Sequence, residues 1–246
     1  MKVSNYGRPL KFNFLAKVLF ILHFVSSTIS TAQSQDLHFD HITTDDGLSN
    51  SSVTCIIKDA KGFMWIGTFN GLNRFDGSEF TIYQYNQNDP HSISDNYISS
   101  IIEDHNGKLW IGTNDGLNFY NRSTDSFKHF RHDINNNASI IDNQIEVIFE
   151  DSKNRLWIGT RKGGLDLYDR KSLSFIHHTH KDNDSNTISS NFVQSLFEDS
   201  KGNIWIGHRN GDIDILYNNH NNYVSGLVYL SLYLLKVVLP KVLDTL

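Results

Sequence analysis

Asp104-His105-Asn106-Gly107-Lys108-Leu109-Trp110-Ile111-Gly112-Thr113 is one of four near-copies of a single phrase. The others centre on Met64-Trp65-Ile66-Gly67-Thr68, Leu156-Trp157-Ile158-Gly159-Thr160 and Ile204-Trp205-Ile206-Gly207-His208. The spacings between successive tryptophans are 45, 47 and 48, and the chain's four tryptophans all occupy this one position. A fixed period of this length signals a repeat architecture.

Working outward from the tryptophan, each copy follows one plan. An apolar segment comes first, as in Val53 to Ile57 or Ile145 to Phe149. A turn opening on Asp59, Asp104, Asp151 or Asp199 leads into the Trp-Ile-Gly segment. Asp hydrogen-bonds its own backbone and Gly or Asn tolerates positive φ, so the turn joins two antiparallel strands. A second turn ends in Gly71, Gly116, Gly164 or Gly211 and opens a third strand. Phe80 to Tyr85, Phe127 to Phe130 and Phe175 to Thr179 supply a fourth. Four short strands in about 45 residues is the arithmetic of a propeller blade. The second strand is apolar on successive residues, so both of its faces are buried between neighbours. Gly67, Gly112, Gly159 and Gly207 permit close approach between blades. No segment shows a 3.6-residue period over ten residues, which excludes a helical solenoid.

The expected fold is therefore an all-β propeller of four-stranded antiparallel blades, over about 48–85, 93–131, 140–179 and 188–217. The fourth unit lacks an outer strand after Tyr217, and residues 37–42 read as an isolated strand able to close that blade. Such a clasp removes an exposed edge. Wide blades suit a ring of more than four, so these units read as part of a ring.

The ends read differently. Residues 1–32 carry four charges, all positive (Lys2, Arg8, Lys11, Lys17), then the apolar run Val18 to Val25, then Ser30-Thr31-Ala32. That order is a secretory signal, too short to span a bilayer comfortably. Its removal leaves 18 basic and 27 acidic residues, a charge of −9, against −5 for the whole chain. That excludes nucleic acid and anionic membrane surfaces as partners. The mature domain spans 33–222. In the tail 223–246, Val224 to Leu239 is apolar at 12 of 16 positions but includes Lys236. It reads as an out-of-frame end, a membrane segment or a packing segment. The membrane is met only through these two ends. One cysteine, Cys55, excludes a disulfide framework.

The phrase D-x-x-G-x-[LMI]-W-I-G-T-x-x-G-L, with Asn- and Ser-rich loops such as Ser92-Ile93-Ser94-Asp95-Asn96, resembles the two-component regulator propeller repeat. The resemblance covers about residues 37–217. It implies the exported, periplasmic sensor half of a hybrid two-component system. That sensor detects oligosaccharides released from polysaccharides and signals to a histidine kinase portion, with a second copy as a further partner. The kinase is absent from this chain, so the resemblance implies no enzyme activity here. Asn154 replaces the turn glycine in the third unit, and His208 replaces Thr in the fourth.

Candidate chemistry is sparse. Glu103, Glu150 and Glu198 recur at one position, and recurrence marks a structural part. His177-His178-Thr179-His180 lacks a third metal ligand, and the loop 182–186 lacks the glycine and closing Glu of a calcium loop. No metal and no cofactor is called for. A binding face is easier to place. The long Asn/Asp-rich loops 86–96, 132–143 and 180–191 emerge beside the turns after each Trp-Ile-Gly. Those turns carry Phe69 and Asn70, Asn114 and Asp115, Arg161 and Lys162, and Arg209 and Asn210. Aromatic faces and amides suit sugar hydroxyls, and arginine suits an acidic sugar's carboxylate. A periplasmic lyase or glycosidase on the same scaffold is the alternative.

Overall fold

The computed structural model describes residues 37–218 and 223–226. The signal segment and the remainder of the apolar tail lie outside the described residues. The chain divides at His41/Ile42, and every sheet lies in the second unit. Among the described residues, a single 3₁₀ turn at Thr44–Asp46 is followed by sixteen strands in four sheets. Blade one holds β1 (Val53–Lys58), β2 (Met64–Thr68), β3 (Gly71–Phe75) and β4 (Phe80–Tyr83). Blade two holds β5 (Ile98–Glu103), β6 (Leu109–Thr113), β7 (Gly116–Asn121) and β8 (Ser126–Phe130). Blade three holds β9 (Ile145–Glu150), β10 (Leu156–Thr160), β11 (Leu165–Asp169) and β12 (Ser174–His178). Blade four holds β13 (Val193–Glu198), β14 (Ile204–His208), β15 (Ile213–Leu216) and β16 (Tyr223–Gly226). Every pairing is antiparallel and follows chain order. This is a β-propeller fold.

One expectation is corrected. Residues 37–42 form no strand, and the fourth sheet is completed by β16, paired with β15 from Leu216↔Tyr223 to Ile213↔Gly226. The propeller therefore runs into the start of what reads as tail, to Gly226. A hairpin closed a few residues away costs far less loop entropy than one closed across the whole domain.

The Asp-to-Trp spacing has a physical cause. In blade one, Asp59 Oδ1 accepts the Lys61 and Phe63 amides, at 3.0 and 2.9 Å, which holds the turn. Its Oδ2 accepts the Trp65 indole N–H at 2.8 Å. The same bond recurs from Trp110 to Asp104, Trp157 to Asp151 and Trp205 to Asp199, at 3.0, 2.9 and 3.0 Å. One carboxylate thus braces a turn and satisfies an indole donor that burial would otherwise strand. At Asn154 the turn takes φ 61°, which asparagine tolerates better than most residues.

The blades pack by unlike faces. Trp65 joins Ile98, Ile101, Leu109 and Ile111 of blade two in one core. Trp110 does the same with Ile145, Ile148, Leu156 and Ile158, and Trp157 with Val193, Ile204 and Ile206. Two residues beyond the first three tryptophans, the glycine meets the next blade's first inner residue. A Cβ on Gly112 would lie 2.7 Å from Ile145 Cγ2, and one on Gly159 2.6 Å from Val193 Cγ1. Nothing larger than glycine fits without displacement. The leading face of blade one shows the contrast. Val53 and Ile56 are 43% and 55% exposed, whereas their counterparts Ile98 and Ile101 are 0% and 3% exposed.

The recurring glutamates tie adjacent blades. Glu103 Oε2 accepts the Ala60 amide at 2.6 Å, Glu150 the His105 amide and Glu198 the Ser152 amide, both at 2.7 Å. Arg122 adds bonds to Asp59 and Glu103, and Arg170 to Asp104 and Glu150.

Candidate functional site at the propeller axis

Each inner strand breaks register at its second residue. β1 pairs Val53 and Cys55 with β2 but passes over Thr54. β5 passes over Ser99, β9 over Glu146 and β13 over Gln194. A bulge re-aims a side chain out of the ladder. These four residues line a single cavity of about 540 Å³, together with Tyr97, Arg161, Phe192 and Arg209. All four blades contribute, so the cavity lies where the inner strands converge. The scaffold repeats at this position, but the side chains do not: Thr, Ser, Glu and Gln stand at equivalent sites. Structural residues repeat, and residues that meet a ligand need not.

The cavity's electrostatics are uneven. Arg161 Nε donates to Glu146 Oε1 at 2.5 Å. Arg209, on an exposed turn, has no carboxylate partner among the described residues, and its guanidinium lies 5.8 Å from the Phe192 ring centroid. The Arg161 guanidinium lies 6.0 Å from the same ring. Two cations thus share one aromatic ring, with one lining carboxylate that pairs with Arg161 alone, a local excess of positive charge in a chain of net −5. Phe69 tilts against the lining residue Tyr97 with ring centroids 5.1 Å apart. Ser99 Oγ and Gln194 Oε1 are buried without a hydrogen-bond partner among the described residues. Groups of that kind are ordinarily satisfied by water or ligand.

Of the eight residues expected at the binding face, Arg161 and Arg209 line this cavity, and Phe69 packs on a lining residue. Four of the others have bonds at or beside the turns. Asp115 pairs with Arg131 at 3.0 Å, the Lys162 amide donates to Asp142, and Asn210 Nδ2 donates to Asp212 at 2.6 Å. The Asn70 carbonyl accepts from Gln84, and Asn114 Oδ1 is buried without a protein partner among the described residues. Composition alone does not separate these roles. Thr54, Ser99, Glu146 and Gln194 give no signal in the sequence, because a bulge is a property of two paired strands, and Tyr97 and Phe192 fall outside the repeated phrase.

The loops that rim this face are pinned by a buried residue in each third strand. Asn73 and Asn118 accept the amides of Ser49 and Ser94, at 2.9 and 3.0 Å. In blades three and four the position is an acid: Asp166 accepts the Ile141 amide at 2.8 Å and Asp214 the Ser189 amide at 2.7 Å. A buried carboxylate needs a donor. His177 Nδ1 meets Asp166 at 2.5 Å, and His208 Nε2 meets Asp214 at 2.8 Å. His208 therefore replaces threonine where its own blade replaces asparagine by aspartate. The bond to Asp166 raises the His177 pKa above its ordinary 6.5. The histidine run is thus spoken for: His177 holds Asp166, His178 lies against Trp157 and His180 meets the Ile188 carbonyl at 2.8 Å.

A larger groove of about 1080 Å³ lies on the rim between the outer strands of blades one and two. Some of its polar groups already bond: Tyr83 donates to Asp125, as does the neighbouring Tyr120, and His129 Nε2 meets the Ser92 carbonyl. The axial cavity, where Ser99 Oγ and Gln194 Oε1 are buried without a hydrogen-bond partner among the described residues, is the better candidate.

The four stretches 47–70, 92–115, 139–162 and 187–210 match the two component regulator propeller family. These are two-component regulator propeller repeats. The same architecture appears in the extracellular domain of a protein assigned to a hybrid two-component system of B. thetaiotaomicron. It is 29% identical with a TM-score of 0.69, over 76% of this chain and 26% of that one. A second B. thetaiotaomicron extracellular domain, assigned to a one-component system, is 27% identical with a TM-score of 0.61, over 71% and 25%. A stretch of 63 residues, 26% of this chain, is 49% identical to histidine kinase P4 of Formosa agariphila and spans 5% of that protein. The chain thus spans about a quarter of each of those solved structures and a small part of the kinase. The names of these three proteins place them in signalling systems. Among the described residues no helix is long and apolar enough to cross a membrane.

Proposed function

We propose that this chain is an extracytoplasmic ligand-sensing propeller of a two-component signalling system. It receives polysaccharide-derived oligosaccharides and passes the signal to a histidine kinase portion. The observation that carries this reading is the set of four bulges turning four different polar side chains into one axial cavity. A volume of about 540 Å³ suits a small glycan. The aromatic pair Phe69 and Tyr97 offers ring faces, and Arg161, Gln194 and Arg209 offer polar contacts. The extracellular setting of the similar solved domains, together with the basic-apolar-small order of residues 1–32, supports export to the periplasm. Glycoside hydrolysis ordinarily takes two carboxylates about the scissile bond. The cavity is lined by one, Glu146, which is bonded to Arg161.

Calorimetric titration with oligosaccharides released from several polysaccharides tests the proposal. Binding without turnover, weakened at least tenfold by Gln194→Ala, is the expected result. Turnover abolished by Glu146→Gln would replace the sensor reading with an enzymatic one.

A further inference from the structure

Resting on that sensor reading, we infer that the axial cavity selects oligosaccharides carrying an acid group, a uronate carboxylate or a sulfate ester, with Arg209 as the anion-binding residue. Three observations lead there. Charge comes first: the lining holds two guanidiniums and a single carboxylate, and that carboxylate is committed to Arg161. Arg209 is left with an aromatic ring as neighbour and no counter-ion among the described residues. A guanidinium beside a half-enclosed cavity is a fork of donors that matches a carboxylate or sulfate in two-point fashion.

Position comes second. Phe69, Asn114, Arg161 and Arg209 are equivalent residues of the four repeats, each directly after the Trp-Ile-Gly-Thr/His phrase. The fold needs no particular side chain there, since an aromatic, an amide and two arginines all occupy the site. The basic pair falls on blades three and four, and the aromatic pair Phe69–Tyr97 joins blades one and two. Tyr97, backed by Phe69, thus gives the cavity a ring face on blades one and two, while both guanidiniums come from blades three and four, beside Phe192. That division fits a sugar whose C–H face stacks on an aromatic while its acid group turns to arginine.

Third is anchoring. Arg209 is not a loosely tethered cation. Its amide donates to the Phe192 carbonyl at 3.2 Å, which ties its turn to the residue on which the guanidinium rests. Part of its conformational freedom is therefore already restricted before a ligand arrives.

A glycan array of uronate-containing, sulfated and neutral oligosaccharides, probed with the whole chain and with Arg209→Gln, tests this. The wild type is expected to bind acidic glycans, and Arg209→Gln to lose roughly tenfold or more of that binding with its unfolding midpoint unchanged. Uronate and sulfate spots on one array distinguish the two acid groups. Binding confined to neutral glycans would overturn the inference and leave the sensor reading standing. Acidic glycans bound equally by wild type and Arg209→Gln would also overturn it. No binding to any glycan would overturn both.

Discussion

Arg170 follows the third strand of blade three and reaches back across the junction to Asp104 of blade two, Nη1 to Oδ2 at 2.7 Å. Its Nη2 meets Glu150 of its own blade at 2.6 Å. The Asp104 side chain has no solvent exposure and that of Arg170 is 25% exposed. The carboxylate that holds a turn and an indole is therefore also the anchor of an inter-blade clamp. Arg170→Ala leaves that carboxylate with only the turn amides and the Trp110 indole as donors, and is expected to cost about 2–3 kcal/mol, the low end for breaking a mostly buried pair. Denaturant midpoints measure it. Adding Asp104→Asn should recover part of the loss, and strict additivity of the two would show that the clamp is not coupled.

Acid sensitivity follows from the same carboxylate. Burial works against the charge on Asp104, but the Trp110 indole and Arg170 outweigh it and hold the pKa below its ordinary 3.8. A depressed native pKa contributes stability that is present above pH 3.8 and lost as pH falls through the native value. Unfolding midpoints collected from pH 6 down to pH 2 should drop most steeply below pH 3.8. Asp104→Asn is expected to flatten that drop, and a profile unchanged by the substitution would count against the assignment.

His177 gives the opposite sign. Its pKa is raised by the bond to Asp166, while burial presses Asp166 itself toward its neutral form. The Ile141 amide also donates to the carboxylate and helps hold it charged, which keeps His177 protonated beside it. A raised native pKa contributes stability that is complete below pH 6.5 and lost as pH rises through the native value. Thermal unfolding between pH 5.5 and 9 should show this decline, and His177→Gln should remove it.

Blade spacing is set at the glycines. Gly112→Ala places a methyl 2.7 Å from Ile145 Cγ2 and 2.9 Å from Ser99 Oγ. A cost of about 1–3 kcal/mol is expected. Combining it with Ile145→Ala should cost less than the sum of the two single changes, because the second removes what the first strikes. Chemical denaturation of the four proteins in this cycle provides the check.

Asn154 separates backbone strain from side-chain packing. At φ 61° it sits where the other three repeats place glycine. Asn154→Ala should destabilise by about 1 kcal/mol, the left-handed penalty for an ordinary side chain. Asn154→Gly should fall within about half a kcal/mol of wild type, since it relieves strain but loosens the unfolded chain. Equal midpoints for the alanine and glycine variants would contradict this.

Strand order, blade count and the burial of Trp65, Trp110 and Trp157 were legible because one repeated phrase carries them. Four agreeing copies leave little freedom in the reading of any one. The outer strand of blade four was misassigned to residues 37–42, since Tyr223–Gly226 merges into an apolar run with no turn glycine to mark it. The axial cavity was half legible. Arg161 and Arg209 stand out as charges at a turn, whereas Glu146 and Gln194 look like ordinary alternating strand residues until the partner strand shows that each is passed over. The acid–histidine pairs were hidden for a similar reason. Asp214 and His208 lie on adjacent strands, and only their pairing explains why both depart from the repeat together.

The packing of a Trp–Gly face onto the next unit's isoleucine face makes every junction heterologous, with a definite head and a definite tail. A two-fold operation cannot relate neighbouring blades, because like faces never meet. No junction carries information about how many units stand on either side of it. Duplication or loss of a whole unit would leave each surviving contact intact, so this architecture can change its circumference without inventing a new interface.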